Sequence, residues 1–330
     1  MFTFADTFAG IGGFRFAAEA HGGQHAWSCE IDKFARRTYA TFHGEEPTDG
    51  DIRAVDVPAL PDFNLLCGGF PCQSFSLAAI NILSHLGRPG GLDDPSRGQL
   101  FLDLANILAV KRPRAFLFEN VLNLIAHDGG KTFRTITDVL SSLDYRFAWK
   151  VINATGWVPQ KRRRVFIVGF RNDLGISEAD IASHVLDLSP PEGPSLADIL
   201  EPNPDPKFTL HDKTWAFLNA HGEKHKARGN GFGYCLIEPP FEGKITRALA
   251  ASYYFSSPRD ILIAQEGKNP RKLTILESLR LMGFPKSCER WFDGTEELPV
   301  SVRQAGKQFG NSVVVPLVTN ILEGIAGILE

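Results

Sequence analysis

Phe2-Thr3-Phe4-Ala5-Asp6-Thr7-Phe8-Ala9-Gly10-Ile11-Gly12-Gly13-Phe14 decides the fold. Phe2 to Thr7 reads as a short strand, and from Gly13 to His21 the apolar spacing becomes helical. Phe8 to Gly13 is therefore a strand-to-helix turn, where glycines permit tight backbone and close approach of a ligand. Its spacing is not the Gly-x-Gly-x-x-Gly of a nicotinamide site.

Outward from this stretch the same alternation continues. Strands are expected at Ala26–Glu30, Leu65–Gly69, Ala115–Glu119, Arg146–Asn153 and Arg164–Phe170. Helices are expected at Lys33–Phe42, Leu100–Lys111 and Thr132–Leu143, with a strongly apolar last helix, Val313–Leu329, packing back on the sheet. Alternation of this kind predicts an α/β fold with a doubly wound, mostly parallel sheet. Ligands in such sheets sit at the carboxyl ends of the strands. The glycine turn, Glu30, Asp51, Cys72 and Glu119 all fall at or just beyond such ends. A carboxylate at Glu30 can accept both hydroxyls of a ribose, and Asp51 suits an adenine amino group. Either acid alone reads equally as a helix cap or a surface acid; the ordered set favours a nucleoside-bearing cofactor.

Composition bounds the rest. The chain has 330 residues, 43% hydrophobic and 22% charged, enough for a large domain and a small one. No apolar run approaches the ~20 residues of a membrane span. The N-terminus lacks the basic and apolar regions of a signal peptide. Five scattered cysteines without a Cys-x-x-Cys suggest no metal site and no disulfide framework, which fits reduced thiols in a cytoplasm. Net charge is −3, yet Lys207 to Lys272 holds eleven Lys and Arg against six Asp and Glu. A basic segment on an acidic body fits a polyanion footprint confined to one face, although an ordinary solvated surface reads the same way. Pro-rich stretches at Ser189–Pro194 and Glu201–Pro206 mark a linker.

Two polar features interrupt the apolar pattern. Cys67 lies inside a strand and reads as a small buried hydrophobe. Cys72 instead follows Gly68-Gly69-Phe70-Pro71 and precedes Gln73 and Ser74. A thiol of ordinary pKa (~8.5) needs nearby positive charge to react at neutral pH. Gln160-Lys161-Arg162-Arg163-Arg164 is the candidate source, with Arg162 and Arg164 alternating toward one face of a strand. Glu119 ends an apolar strand, where a partly buried carboxyl can serve as a proton donor.

With these residues assembled, the chain resembles the C5-cytosine DNA methyltransferases of bacteria and phage. The motifs occur in family order: Asp6-x-Phe8-Ala9-Gly10-x-Gly12-Gly13, Glu30, Gly50-Asp51-Ile52, Gly68-Gly69-Phe70-Pro71-Cys72-Gln73-x-Phe75-Ser76, Arg97-Gly98-x-Leu100-Phe101, Glu119-Asn120-Val121 and Gln160-x-Arg162-x-Arg164. They end with Arg271-Lys272-Leu273-Thr274-x-x-Glu277-x-x-Arg280-Leu281-Met282-Gly283-Phe284-Pro285 and Gln308-Phe309-Gly310-Asn311-Ser312-Val313. The resemblance implies a class I S-adenosylmethionine-dependent fold over residues 1–187, completed by 300–330. A smaller mixed target-recognition domain would span 188–272, with a hinge segment at 273–299. It implies that Phe8, Ala9, Gly10, Ile11 and Gly13 surround S-adenosylmethionine, with Glu30 and Ile31 at the ribose and Asp51 and Ile52 at the adenine. Gly69, Pro71 and Leu100 would close the pocket, and Asn311, Ser312 and Val313 would reach it from the C-terminal segment. Cys72 would be the nucleophile at carbon 6 of a cytosine flipped out of double-stranded DNA. Glu119 would engage N3 and the exocyclic amine, Arg164 would bind O2, and Arg162 would lie beside the thiol and a phosphate.

Ser76, Gln160, Lys226, Arg228, Asn230, Arg247 and Tyr254 are the expected DNA contacts. Arg228 suits bidentate reading of guanine and Asn230 of adenine, although phosphate contact fits either. The segment Lys224 to Tyr234, with Ile245–Leu249 and Tyr253-Tyr254, is similar to the recognition region of the Dcm-like group, whose members modify the inner cytosine of palindromes such as CCWGG, CCNGG or CCGG. Three positions depart from the pattern: Ala248 for a usual Thr, Ser252 for a usual Arg, and Ala79 for a usual Gly in the Ser74 to Pro95 loop, which reads as a closing lid. A tRNA methyltransferase and a non-catalytic DNA-binding regulator share the fold. The recognition segment disfavours the first, and intact Cys72, Glu119 and Arg164 disfavour the second. A nicotinamide dehydrogenase is disfavoured by the glycine pattern. One flipped base per event suits a monomer, and the resemblance leaves room for a cognate restriction endonuclease in the same system, whose presence the sequence does not decide.

Overall fold

Strand β1 (Phe2–Thr7) lies within a six-stranded sheet of order β2-β1-β3-β4-β7-β5. The computed structural model describes residues 1–71, 100–229, 234–255 and 261–329. Strand β2 is Gly23–Cys29, β3 is Leu65–Gly68, β4 is Ala115–Val121, β5 is Tyr145–Asn153 and β7 is Arg163–Arg171. The pairs β1–β2, β1–β3 and β3–β4 are parallel, and β7 runs antiparallel to β4. The mostly parallel sheet expected from the alternation is thus present. Helices α1 (Gly13–Glu19), α2 (Lys33–His43) and α3 (Leu100–Lys111) follow β1, β2 and β3 in the chain. Strand β2 begins three residues before the expected Ala26, because Gly23 pairs in register with Phe2. Gln24 in that extension is exposed, so no apolar signal marks it.

The two faces of β1 are covered differently. Ala5 joins an apolar core with Leu66, Phe116 and Phe118 of the sheet and Phe101, Leu104 and Leu108 of α3. Phe70, just past β3, packs against Phe101 (5.3 Å between centroids) and Phe118 (6.2 Å). Burying such a ring contributes about 1.5–3 kcal/mol, enough to anchor the chain where it leaves the sheet. The opposite face carries polar groups. Arg15 of α1 is almost enclosed and donates to Glu19, Tyr39 and Glu45.

Contacts divide the chain into two units: residues 1–152, 163–189 and 317–330, and residues 153–162 with 190–316. Segments 273–299 and 300–316 both pack within the second unit. The last helix, Val315–Leu329, returns to the first unit from Leu317 onward and buries Val318, Ile321, Leu322 and Ile325. The apolar stretch Val302–Leu329 is long enough to cross a membrane, but a break at Ser312 to Val314 splits it into two helices.

The second unit contains a three-stranded sheet, β11 (Lys268–Arg271), β10 (Leu262–Gln265) and β8 (Leu236–Ile237), and a pair, β6 (Gln160–Lys161) with β9 (Thr246–Arg247). Its longest helix is Asp212–Ala227, of which only Leu218 is fully buried. Helix Ile275–Leu281 starts with a capping box between Thr274 and Glu277. Glu277 is fully buried and meets Arg271 through two 2.7 Å contacts, Nη1 to Oε2 and Nη2 to Oε1. It also accepts the amides of Thr274 and Glu201. Removing one partner of such a pair strands the other charge. Glu277→Ala is expected to cost about 3–5 kcal/mol in urea unfolding. Replacing Arg271 and Glu277 together by apolar residues should cost clearly less, since no charge is then left alone.

Candidate active site

The carboxyl ends of β1 to β4 bring the first unit's expected residues to one edge. After β1 the chain reverses through Phe8 (φ 55°), Gly10 (φ 57°) and Gly12 (φ 83°), all left-handed. Phe8 is the informative one, because a bulky side chain rarely adopts that region. The Ala9 amide bonds to Cys29 O at 3.0 Å, tying the turn to the end of β2. Ile11 and Gly13 are buried beneath it.

Glu30 is held from two sides. Gly10 N donates to its Oε2 at 2.8 Å and Asp32 N to its Oε1 at 2.7 Å. Burial pushes its pKa up against these two amides. Ile31 beside it is 65% exposed, an apolar side chain available to be covered. Asp51 caps the short turn Ile52–Ala54, and Ile52 is buried. The Asp51 carboxylate accepts the Arg53 guanidinium at 2.6–3.1 Å and remains a third exposed. Leu100 opens α3 and packs on the core.

Glu119 lies near the end of β4, and Arg164 sits on the adjacent β7. Arg164 Nε meets Glu119 Oε1 at 2.9 Å, with both side chains mostly buried. The register explains the meeting: Val121 pairs with Arg164 and Glu119 with Phe166. A Cβ built on Gly69 would stand 3.8 Å from Glu119 Oε2 and 3.7 Å from Phe14. Gly69 thus joins the helix of the glycine turn to the acid of β4.

Two residues at this edge belong to the quoted motifs but carry no expected role. Asn120 is buried and donates to Phe70 O at 2.7 Å, fixing the backbone just before exposed Pro71. An amide in an otherwise apolar strand was the available signal. Asp6 is fully buried, and neither carboxylate oxygen has a hydrogen-bond partner among the described residues. Burial first, then Glu30, raises its pKa well above the ordinary range. Cys67 is enclosed with a raised pKa, as expected of a core thiol. Cys72 and Ser76, with Ala79 and the Ser74 to Pro95 loop, lie outside the described residues, as does Asn230.

The remaining expected residues belong to the second unit. Arg162 lies between β6 and β7 and not on a strand with Arg164, so the alternation that placed both on one face does not hold. It is 2% exposed and donates to the carbonyls of Leu249, Gly310 and Ser312 at 2.8–3.0 Å. Gln160 is fully buried, donating to Leu281 O and accepting Leu249 N. Tyr254 commits its hydroxyl to Leu273 O, Thr274 O and Ser278. Asn311, Ser312 and Val313 close helix Val302–Asn311. Lys226 and Arg228 are exposed at the end of helix Asp212–Ala227. Arg247 is exposed on β9 and pairs in register with exposed Lys161 of β6. Two exposed cations side by side on one strand pair suit a polyanion. Lys161 is a further candidate contact.

A doubly wound sheet with one antiparallel strand let in near its edge, carrying a carboxylate-anchored glycine turn, is the class I methyltransferase fold. The crystal structure of S. pombe Dnmt2 methyltransferase has it, with TM-score 0.73 and 19% identity over 100% of both chains. That of the Entamoeba histolytica methyltransferase EhMeth has it as well, with TM-score 0.72 and 16% identity over 99% of this chain and 98% of that one.

The sequence matches the C-5 cytosine-specific DNA methylases over residues 2–327. It is 40% identical to the Type II methyltransferase M.DsaV of Dactylococcopsis salina over 99% of this chain and 86% of that one. It is 40% identical to M.NlaX of Neisseria lactamica over 100% and 98%, and 41% to M1.ScrFI of Lactococcus lactis subsp. cremoris over 98% and 78%. The chain belongs to the C-5 cytosine-specific DNA methylase family. It is a DNA (cytosine-5-)-methyltransferase whose methyl donor is S-adenosylmethionine.

Proposed function

We propose that this enzyme methylates the inner cytosine of a short CC-containing palindrome in double-stranded DNA, through a covalent adduct between Cys72 and carbon 6. The observation that carries the catalytic part is the Glu119–Arg164 pair at the carboxyl edge of β4 and β7. It combines a hydrogen-bonding acid for ring N3 with a cation for O2, two of the three polar groups on one edge of cytosine.

Carbon 5 of cytosine is a weak nucleophile. Addition of the Cys72 thiolate to carbon 6 forms a carbon–sulfur bond and pushes the ring electrons toward N3 and C5. Glu119 at N3 and Arg164 at O2 stabilise that charge, leaving an enamine. Bound S-adenosylmethionine supplies the electrophilic methyl group. A water-derived base then removes the C5 proton, and the returning electron pair expels the Cys72 thiolate. Asn120 and Phe70 fix the backbone immediately ahead of the thiol.

The residues of the turn fit the donor. Glu30, oriented by two amides, has lone pairs left for a ribose diol. Exposed Ile31 is suited to covering by a purine, and an adenine amino group would share Asp51 with Arg53. Asp6 is enclosed and burial favours its uncharged form, so it would be neither a contact nor a counter-charge for the donor. On the second unit, Lys161, Lys226, Arg228 and Arg247 are the proposed DNA contacts. Gln160, Arg162 and Tyr254 are proposed to hold the recognition segment from inside.

The test is to incubate the protein with labelled S-adenosylmethionine and unmethylated plasmid, then bisulfite-sequence the product. Transfer to one CC-containing palindrome is expected. Transfer to cytosines outside any such motif would overturn the target, and label on tRNA alone would overturn the substrate.

A further inference from the structure

The glycine turn is gripped from behind by helix α2. At the start of α2, the N-cap Asp32 donates its amide to Glu30 Oε1, while Glu30 Oε2 accepts Gly10 N. At its end stands His43, the last residue of the helix. A Cβ built on Gly12 would lie 2.0 Å from His43 Nε2, 2.8 Å from Cδ2 and 3.0 Å from Cε1. The imidazole edge therefore fills the space into which any side chain at Gly12 would grow.

The ring itself is fixed. Phe16 and Tyr39 flank it at 4.4 and 4.5 Å between centroids. Its Nε2 is buried and has no hydrogen-bond partner among the described residues. Desolvation, with Arg15 second, drives its pKa down to about 3, so the ring is uncharged at neutral pH. That matters beside a donor that carries a sulfonium, since an imidazolium there would repel it.

We propose that His43 is a positioning residue for the methyl donor: a wedge that sets the Gly10–Gly13 backbone by contact at Gly12. The bland alternative is a core histidine that only packs α2. What separates the two is the double grip, because α2 holds the turn at Gly10 through Glu30 and at Gly12 through His43. The proposal rests on the reading that this turn holds S-adenosylmethionine.

The experiment is a double-mutant cycle on the full chain, with S-adenosylmethionine affinity measured by calorimetry, KM and kcat by methyl transfer to plasmid, and folding by Tm. His43→Ala is expected to raise the donor's Kd and KM about tenfold, with kcat within about twofold. Gly12→Ala should lose about a hundredfold or more, from left-handed strain plus the clash. Gly12→Ala/His43→Ala should then bind the donor about tenfold more tightly than Gly12→Ala alone, because removing the ring makes room. Gly12→Ala/His43→Phe, which keeps a ring in place, should recover nothing. If the losses of the two alanine variants simply add, or if His43→Ala lowers Tm without changing donor affinity, His43 is not a wedge. If Gly12→Ala binds the donor like wild type, the reading of the turn itself falls, a result distinguishable from the other two.

Discussion

Cys72→Ala is expected to abolish methyl transfer, by at least roughly 10⁴-fold in kcat, while S-adenosylmethionine and DNA still bind. The size follows from the chemistry. Without addition at carbon 6, carbon 5 must attack as part of an aromatic ring. Cys67 cannot substitute: it is fully buried within β3, and burial raises its pKa well above the thiol range. Cys72→Ser should be nearly as inactive, because a hydroxyl is far less ionised than a thiol at neutral pH. The direct check uses DNA carrying 5-fluorocytosine at the target. Fluorine at carbon 5 cannot leave as a proton does, so the adduct persists. Wild type should form a complex with this DNA that survives denaturation, and Cys72→Ala none. A denaturation-resistant complex with the alanine variant would overturn the assignment of the nucleophile.

Much of this was legible in the residues, and the limits have physical causes. The strands β1, β3, β4 and β7 were readable because their apolar runs are buried on both faces and bounded by turn residues. Glu119 stood out as a carboxyl at the end of such a run. Arg164 stood out too, but not its contact with Glu119, which depends on the antiparallel register of β7 on β4 that pairs Val121 with Arg164. Helix Asp212–Ala227 was invisible for the opposite reason. It buries only Leu218, so it carries no apolar stripe to reveal its period. Gln160 and Arg162 illustrate a third cause. Their polarity suggests outward-facing DNA contacts, yet both side chains are enclosed and their polar groups bond to backbone of the second unit. Residue type records what a side chain can bond to, while burial decides whether that partner is a ligand or the chain itself. The departure at Ala248 sits within this arrangement, since the neighbouring Leu249 supplies both the amide bonded to Gln160 and a carbonyl bonded to Arg162. Nothing in the structure explains Ser252 in place of arginine.

Glu119→Gln is the other substitution with a large expected effect, a fall in kcat of about 10²–10⁴-fold. Glutamine keeps the shape and can still accept from Arg164 at 2.9 Å, but its amide, though a hydrogen-bond donor, cannot transfer a proton to ring N3. The enamine must then form against a neutral amide, and the charge pushed onto the ring has only Arg164 to meet it. Donor affinity should stay within about threefold, because Glu119 acts on the base and Glu30 on the donor. Stability should fall by about 1–3 kcal/mol, because Arg164 keeps a hydrogen-bond acceptor but loses its counter-charge where both side chains are mostly buried. The informative comparison is between adduct formation and turnover. If Glu119 assists the addition step, the variant should trap 5-fluorocytosine DNA more slowly by the same factor as kcat falls. If trapping proceeds at the wild-type rate while kcat falls, Glu119 acts only after the adduct, and its role at N3 during thiolate addition is wrong. Arg164→Lys supplies the matching control. An ammonium keeps the charge at O2 but loses the fixed guanidinium geometry against Glu119, so it should lose part of the rate that Glu119→Gln loses. The two losses should fall short of additive in the double variant, as expected for groups in contact that act on one ring.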